Sequence, residues 1–165
     1  MIIETKIEFK KYVKLMYQLT YKKPSIIFIS IVGIFLLVLS IQYFIGINTT
    51  TDQPPYVQLF IGLIVLFIPY SVYRSSKRSF KTNSRLQETI TYEFTQDKIR
   101  IKGESFDSVM DWTKLHKIVE MKDWILLYQN KLTFNLIPKI SFGKKIEEFR
   151  SLAKGQEGLQ TKLKR

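Results

Sequence analysis

The sequence predicts an α+β membrane protein, in which a two-helix transmembrane hairpin is joined to a small antiparallel β-sheet or barrel capped by a C-terminal helix. Three observations carry this. Two long apolar runs, Ser25–Ile47 and Tyr56–Tyr73, are separated only by the short polar break Asn48–Pro55. Basic residues crowd the outer flanks of that pair, and the break has none. From Leu86 onward, apolar and polar residues alternate through six short stretches before a final stripe of helical period.

Length decides the hairpin. A bilayer's hydrocarbon core takes about 20 apolar residues at 1.5 Å rise each. No charged residue occurs from Pro24 to Thr51 or from Gln53 to Tyr73. A helix satisfies its own backbone in lipid, so runs of this kind can cross. The alternatives are a pair of core helices in a soluble protein and, for the first run, a cleaved signal. Core helices usually show water one charged face. The first run starts late for a signal and ends in Gly46-Ile47-Asn48, without a small-x-small site. Lys22 and Lys23 precede the first run, and Arg74, Lys77, Arg78, Lys81 and Arg85 follow the second. The excess of Lys and Arg on those flanks places both termini in the cytoplasm and the break outside, in a multi-pass plasma-membrane protein. Pro54-Pro55 are expected to stiffen the turn and start the second helix. Asn48-Thr49-Thr50 matches a glycosylation sequon, which carries little weight so close to the membrane.

The chain of 165 residues has net charge +12, and that charge is uneven. Residues 1–24 carry six Lys against two Glu, and residues 74–85 carry five basic residues and no acid. A basic protein invites a nucleic-acid reading. Because the excess flanks the apolar runs, attraction to anionic lipid headgroups is the better reading, and no nucleic-acid partner is expected. Lys10, Lys11, Lys14, Lys22, Lys23, Arg74, Lys77, Arg78, Lys81 and Arg85 are the candidate membrane-surface contacts. The chain has no Cys, so it offers no disulfide, no thiolate metal site and no cysteine nucleophile.

Taken in order, residues 1–24 read as a strand over Met1–Ile7 and an amphipathic helix over Phe9–Tyr21. In that helix Phe9, Tyr12, Val13, Met16 and Leu19 recur at three- and four-residue spacing, with the lysines opposite. Two placements stay open for it. It can lie in the membrane interface, or it can pack on the cytoplasmic domain or simply lead into the first span. Residues 25–73 are the hairpin (25–47 and 56–73). Its spans hold no ionisable residue, which argues against an ion path or proton relay. Gly33, Gly46 and Gly62 make no small-x-x-x-small pair within either span, and Pro69 is expected to bend the second helix. Residues 74–85 read as a basic juxtamembrane link.

Residues 86–155 read as a cytoplasmic domain. Glu88–Thr95, the Ile99–Ile101 segment, Phe106–Trp112, Leu115–Met121, Trp124–Gln129 and Leu132–Pro138 are its strands, the last with Leu132, Phe134 and Leu136 on one face. Ser141 is the expected N-cap of a helix whose stripe is Phe142, Ile146, Phe149 and Leu152. Gly155 and Gly158 end that helix, and the polar tail 156–165 is expected to fray. A strand meander followed by one amphipathic helix is the pattern of a pleckstrin-homology-like (PH-like) domain. That fold has seven strands, and Met1–Ile7 is the natural candidate for the strand missing from the six counted.

Several motifs also carry a resemblance. Thr91-Tyr92-Glu93, Ser108-Val109-Met110-Asp111-Trp112 leading to Leu115 and Ile118, Lys122-Asp123-Trp124, and Ile137-Pro138-Lys139 before Phe142 resemble the bacterial YcxB-like membrane proteins. The likeness runs over nearly the whole chain. It implies a PH-like domain on a two-helix anchor and brings no catalytic residues with it.

Signals for chemistry are thin. His116 is the only histidine, whereas a metal site needs several convergent ligands. Glu147 and Glu148 are adjacent and point to different sides of a helix. No phosphate loop or nucleophile elbow occurs. The expectation is therefore a non-catalytic membrane protein with no cofactor. It would present a cytoplasmic PH-like module that binds a protein, a peptide or a lipid headgroup at the inner membrane surface, and its protein partner would be unidentified. The alternative is a self-immunity or defence protein that neutralises a toxin or bacteriocin at the membrane.

Overall fold

The computed structural model describes residues 1–47 and 53–164. The sequon and most of the polar break lie outside the described residues. The chain divides into two compact units. One is built from Met1–Glu8 together with Asn83–Arg165, the other from Phe9–Thr82.

Among the described residues the helical unit has three helices: α1 (Phe9–Tyr21), α2 (Pro24–Phe44) and α3 (Tyr56–Thr82). α2 and α3 are both long and apolar enough to cross a membrane. α2 ends three residues before the Ile47 boundary expected from hydropathy, and backbone chemistry stops it. Gly46 takes a left-handed φ of 78°. Its N–H then bonds to the Tyr43 carbonyl at 3.0 Å, and the Ile47 N–H to Gln42 at 2.9 Å. This paired closure satisfies carbonyls that the helix end would otherwise orphan. α3 starts directly after Pro54-Pro55, as expected, and stays continuous through Pro69. It also runs on to Thr82, so the basic stretch read as a link is largely helical. The reason lies in its spacing. Arg74, Lys77, Arg78 and Lys81 form one stripe at helical period, and Tyr73, Ser76 and Phe80 form another.

The second stripe receives α1. Phe9 meets Tyr73 and Phe80 edge-on, with ring centroids 6.2 and 5.4 Å apart, and Tyr12 meets Phe80 at 5.7 Å. The Tyr12 hydroxyl lies 3.2 Å from Ser79 Oγ, and the Tyr17 hydroxyl donates to the Pro69 carbonyl at 2.7 Å. The apolar side of α1 is thus engaged by a helix. Its most buried residues are Tyr12 and Leu15, and Leu15 was not part of the expected stripe.

α2 and α3 touch through glycine. A Cβ on Gly33 would lie 2.3 Å from Val65 Cγ2 and 2.8 Å from Val65 Cβ. A Cβ on Gly62 would lie 2.7 Å from Leu37 Cβ and 3.0 Å from the Gly33 carbonyl oxygen. The small residues pair across the hairpin instead of along one helix, so a search for spacing within each span misses them. Close backbone approach of this kind is the usual source of helix association in lipid.

The other unit has eight strands and one α-helix. One sheet has the order β1-β2-β3-β4, from β1 (Ile2–Lys6), β2 (Thr89–Phe94), β3 (Lys98–Lys102) and β4 (Asp107–Asp111). The other has the order β7-β6-β5-β8, from β5 (Lys117–Glu120), β6 (Trp124–Tyr128), β7 (Phe134–Pro138) and β8 (Gln160–Lys162). β1 pairs antiparallel with β2, Ile2 opposite Glu93 and Lys6 opposite Thr89, so the N-terminal residues do supply a strand to this unit. One core joins both sheets through Ile3, Tyr92, Phe94, Ile99, Ile118, Ile125 and Ile137, and α4 (Ile146–Lys154) adds Phe149 and Ala153. Trp124 to Leu127 are buried at every position, in keeping with the unbroken apolar run of β6.

Three expectations for this unit need correction. Leu132 is 88 % exposed, and β7 begins only at Phe134. Asn130 Oδ1 accepts from the Leu132 and Thr133 N–H groups at 2.8 and 2.7 Å, which folds 130–133 into a turn. Ser141 does not cap a helix. Residues Lys139–Lys145 form 3-10 turns broken by Gly143 at φ 50°, and α4 starts after Lys145, although Phe142 is still buried. The tail does not fray as a whole, because β8 pairs with β5, and in parallel, so this sheet is mixed. Alternation explains it: Leu159 and Leu163 pack on the core while Gln160 and Lys162 face out.

The Gly33–Val65 contact gives a direct test. Gly33→Ala is expected to destabilise the detergent-solubilised chain by about 1–3 kcal/mol, the usual cost of overpacking, measured by thermal or denaturant unfolding. Val65→Ala in the same chain removes the Cγ contacts but keeps the Cβ 2.8 Å away, so it should restore only part of the loss. It should not rescue Gly62→Ala, which meets backbone. A Gly33→Ala chain as stable as its parent would refute the contact.

Candidate functional site

Two charged constructions stand out, one in each unit. In the helical unit, Lys10, Lys11 and Lys14 lie on the exposed side of α1, and Lys22 and Lys23 in and beside the turn before α2. Arg74, Lys77, Arg78 and Lys81 lie on the exposed stripe of α3. α1 packs on the Tyr73–Ser76–Phe80 stripe of α3, next to the stripe that carries these cations. Phe9–Thr82 contains nine Lys and Arg and a single acid, Asp52. Such a field attracts polyanions and anionic surfaces. Arg85, the tenth sequence candidate, belongs to the other unit. Its guanidinium sits over the Phe106 ring, 4.5 Å from the centroid, and is engaged there. The helical period of 74, 77, 78 and 81 was the signal that could have joined the basic stretch to α3.

In the sheet unit the charged centre is Glu120, which the sequence reading did not single out. It is the last residue of β5, and its side chain is 0 % exposed. Lys139 Nζ lies 2.5 Å from Oε1. Arg150 donates from Nη2 to Oε1 at 2.5 Å and from Nε to Oε2 at 3.0 Å. The Lys164 backbone N–H donates to Oε2 at 3.0 Å. Arg150 also pairs with Glu147 one helical turn away. Burial by itself would raise the Glu120 pKa, but the bonds from Arg150, Lys139 and the Lys164 N–H outweigh it and hold it down at about 2. The carboxylate is a fixed anion that ties β5 to the end of β7, to α4 and to the C-terminal segment. A permanently ionised, fully bonded carboxylate has no proton to exchange near neutrality, so its role is to position chain.

The remaining sequence candidates are structural. Trp112 is buried, and its Nε1 donates to the Thr95 carbonyl at 3.0 Å. Tyr92 is buried, and burial pushes its phenol up. The Lys122-Asp123-Trp124 and Ile137-Pro138-Lys139 motifs face each other: Trp124 is opposite Pro138, and the Lys139 N–H donates to the Asp123 carbonyl at 2.9 Å. His116 is exposed, and its backbone N–H bonds to the Tyr128 carbonyl at 2.7 Å. Among the described residues no three of His, Asp and Glu converge as metal ligands.

Glu120 sets an acid limit. Its folded pKa lies below the ordinary 4.5, so its contribution is full above pH 4.5 and is lost as pH falls toward 2. The shift corresponds to the order of 3 kcal/mol, with little solvent screening at a covered side chain. Glu120→Gln should remove that part of the acid dependence in denaturant melts between pH 5 and 2. Glu120→Ala should cost about 3 kcal/mol at pH 7 by leaving Arg150 and Lys139 without their buried partner. An unchanged acid limb in Glu120→Gln would count against the assignment.

Comparison with known proteins bears on this unit. The family model described as YcxB-like protein matches residues 94–153, from the end of β2 to α4. The chain is 26 % identical over 80 residues to Uncharacterized protein YcxB of Bacillus subtilis (strain 168), across 48 % of this chain and 43 % of that relative. The match therefore spans less than half of the relative's length. No solved structure matches. Over residues 94–153 the chain is similar to the YcxB-like family, and this relative supports the same likeness.

Proposed function

We propose that this chain is a non-catalytic integral membrane protein. It crosses the membrane twice with both ends in the cytoplasm and presents a PH-like module that binds a protein or peptide segment, or a lipid headgroup, at the inner membrane surface. The observation that carries the reading is the combination held in the helical unit. α2 and α3 leave Phe28, Ile31, Phe35, Val57, Phe60 and Phe67 exposed, each by 60 % or more. Side chains of that size, exposed around two long helices, call for a lipid covering. The nine cations of the same unit sit on α1, in and beside the turn before α2, and on the far end of α3, where the excess of positive charge on the cytoplasmic side would put them.

Strand pairing supports the same arrangement independently. β1 and β2 are neighbours in one sheet, yet both candidate spans lie between them in sequence. Two strands can pair only on one side of a membrane, so the intervening chain must cross an even number of times.

The PH-like reading rests on β1 to β7, a seven-stranded antiparallel set split over two sheets, followed by α4 with Phe149 in the core. β8 is an addition to that pattern. Sheet edges are one recognised means by which a small sheet module binds an extended segment.

Because the chain has no native Cys, single cysteines report topology cleanly. In intact cells Thr51→Cys should react with a membrane-impermeant maleimide, and Leu132→Cys should react only after permeabilisation. The reverse pattern would overturn the orientation. Replacing Arg74, Lys77, Arg78 and Lys81 together by Gln should produce mixed orientation in the same assay. Crosslinking in intact membranes from exposed positions of the sheet unit should capture a discrete protein or lipid adduct. Absence of any adduct from every position would reject the binding reading.

A further inference from the structure

We propose that the outer edge of β5 is a binding site for an extended polypeptide segment, and that the chain's own residues 158–164 occupy it as an intramolecular ligand. This rests on the binding-module reading and names its site and ligand class.

The edge is well made. Ile118 is fully buried and Glu120 nearly so, and β5 is paired on its other side by the buried strand β6. Its occupant is held lightly. β8 contributes three residues, with Gln160 opposite Lys117, Thr161 opposite Ile118 and Lys162 opposite Val119. The ladder is parallel, which is slightly weaker per residue than antiparallel. Gln160 and Lys162 are exposed, and Leu159, Thr161 and Leu163 are only half-buried. A short connection, Gly155 to Gly158, joins this strand to α4.

What the edge recognises can be read from the occupant. It pairs with backbone, and the Lys164 N–H is received by Glu120 Oε2 at 3.0 Å. Glu120 is already balanced by Lys139 and Arg150, so it accepts a neutral amide and demands no charge from the ligand. Leu159 and Leu163 pack against the core, with Thr161 between them on the same side. The fitting ligand is therefore an extended segment with apolar residues at its first and fifth positions, a small residue at the third, and free N–H groups along the paired stretch. Strand addition of this kind draws affinity from the backbone and specificity from alternate side chains. A lipid headgroup offers no such ladder.

Competition between the cis segment and a free peptide tests this. A fluorescent peptide with the sequence of residues 158–164, GLQTKLK, is titrated by anisotropy into the full chain and into a chain ending at Glu157, both in nanodiscs. The shortened chain should bind saturably and at least about tenfold more tightly than the full chain, whose own segment competes. A control peptide with Ser at both leucine positions should bind about tenfold more weakly than the parent peptide. The full-length variant Leu159→Ser/Leu163→Ser should also gain affinity for the parent peptide, which keeps the test decisive if the shortened chain fails to fold. Equal binding by full and loosened chains, or no binding by a loosened chain that still melts cooperatively, would overturn the proposal. So would a full-length dimer that becomes monomeric on shortening, because the segment would then be exchanged between copies. Crosslinked adducts from other surfaces of the module would survive all of these failures, which separates this site from the broader binding reading.

Discussion

The ladder between β1 and β2 is the constraint on which the architecture depends. It pairs residues about 90 positions apart, and the Met1 ammonium adds a bond to the Phe94 carbonyl at 2.8 Å. The sheet unit is thus closed by both ends of the described chain, with the whole helical unit inserted between Glu8 and Asn83. Closing so long a loop costs entropy that grows only slowly with length. Because α2 packs against α3, the inserted chain doubles back on itself, which shortens the span that the strands must close. The glycine contact between α2 and α3 and the aromatic contacts between α1 and α3 therefore serve the sheet as well as the helices. They order the segment whose two ends the sheet must bring together.

Within the sheet unit, Glu120 does at side-chain level what the β1–β2 ladder does at backbone level. A buried carboxylate is expensive unless its bonds are complete. Here they come from three separate places: Lys139 beyond β7, Arg150 on α4 and the N–H of Lys164. Each contact offsets part of the cost of burying the carboxylate, so together they favour the arrangement that brings all three sources to Glu120. The same logic explains why Lys139 follows Pro138. Proline ends the edge strand without an N–H to satisfy, and the next residue turns its amide to Asp123 and its ammonium to Glu120.

Much of this was legible from residue order because it is written in periodicity. The six strands from Thr89 to Pro138 and the extent of α1 follow from two- and three-to-four-residue patterns. The strand over residues 2–6 was legible from the alternation of Ile3 and Ile7 with polar residues. What escaped was of two kinds. Contacts between elements, such as Gly33 with Val65 and Glu120 with Arg150, join residues about 30 positions apart and leave no local pattern. Segments whose composition points one way and whose pairing points another were also misread. RSSKRSFKT is polar enough to look like a link but is helical because its charges and aromatics fall on separate stripes. GLQTKLK looks like a fraying tail, and its Leu-x-Thr-x-Leu alternation becomes visible as a strand only once β5 offers an edge. Ser141 and Leu132 failed for the opposite reason: a local signal was present, but Gly143 and Asn130 impose turns that override it.

The treatment of sheet edges shows how these levels connect. An open edge invites pairing with other chains, and folded proteins blunt it. β7 ends in Pro138. β1 has its Ile2 carbonyl taken by Lys145 Nζ at 3.2 Å. β4 is bounded by Asp107 and Asp111, and Asp107 is clamped across the strand pair by both Arg100 Nε and Nη2, at 3.0 and 2.6 Å. These devices use proline, charge or a single capping bond, and none adds a strand to the edge. β5 is handled differently, because a length of backbone lies over it. Its residues alternate into a shared core with Ile118 and end in a carboxylate that accepts an amide. An edge shaped in this way excludes chance partners by being occupied, and its chemistry remains that of a strand acceptor. β5 itself carries a charge at each end, Lys117 and Glu120, around Ile118 and Val119, and it is backbone pairing with β8 that closes it.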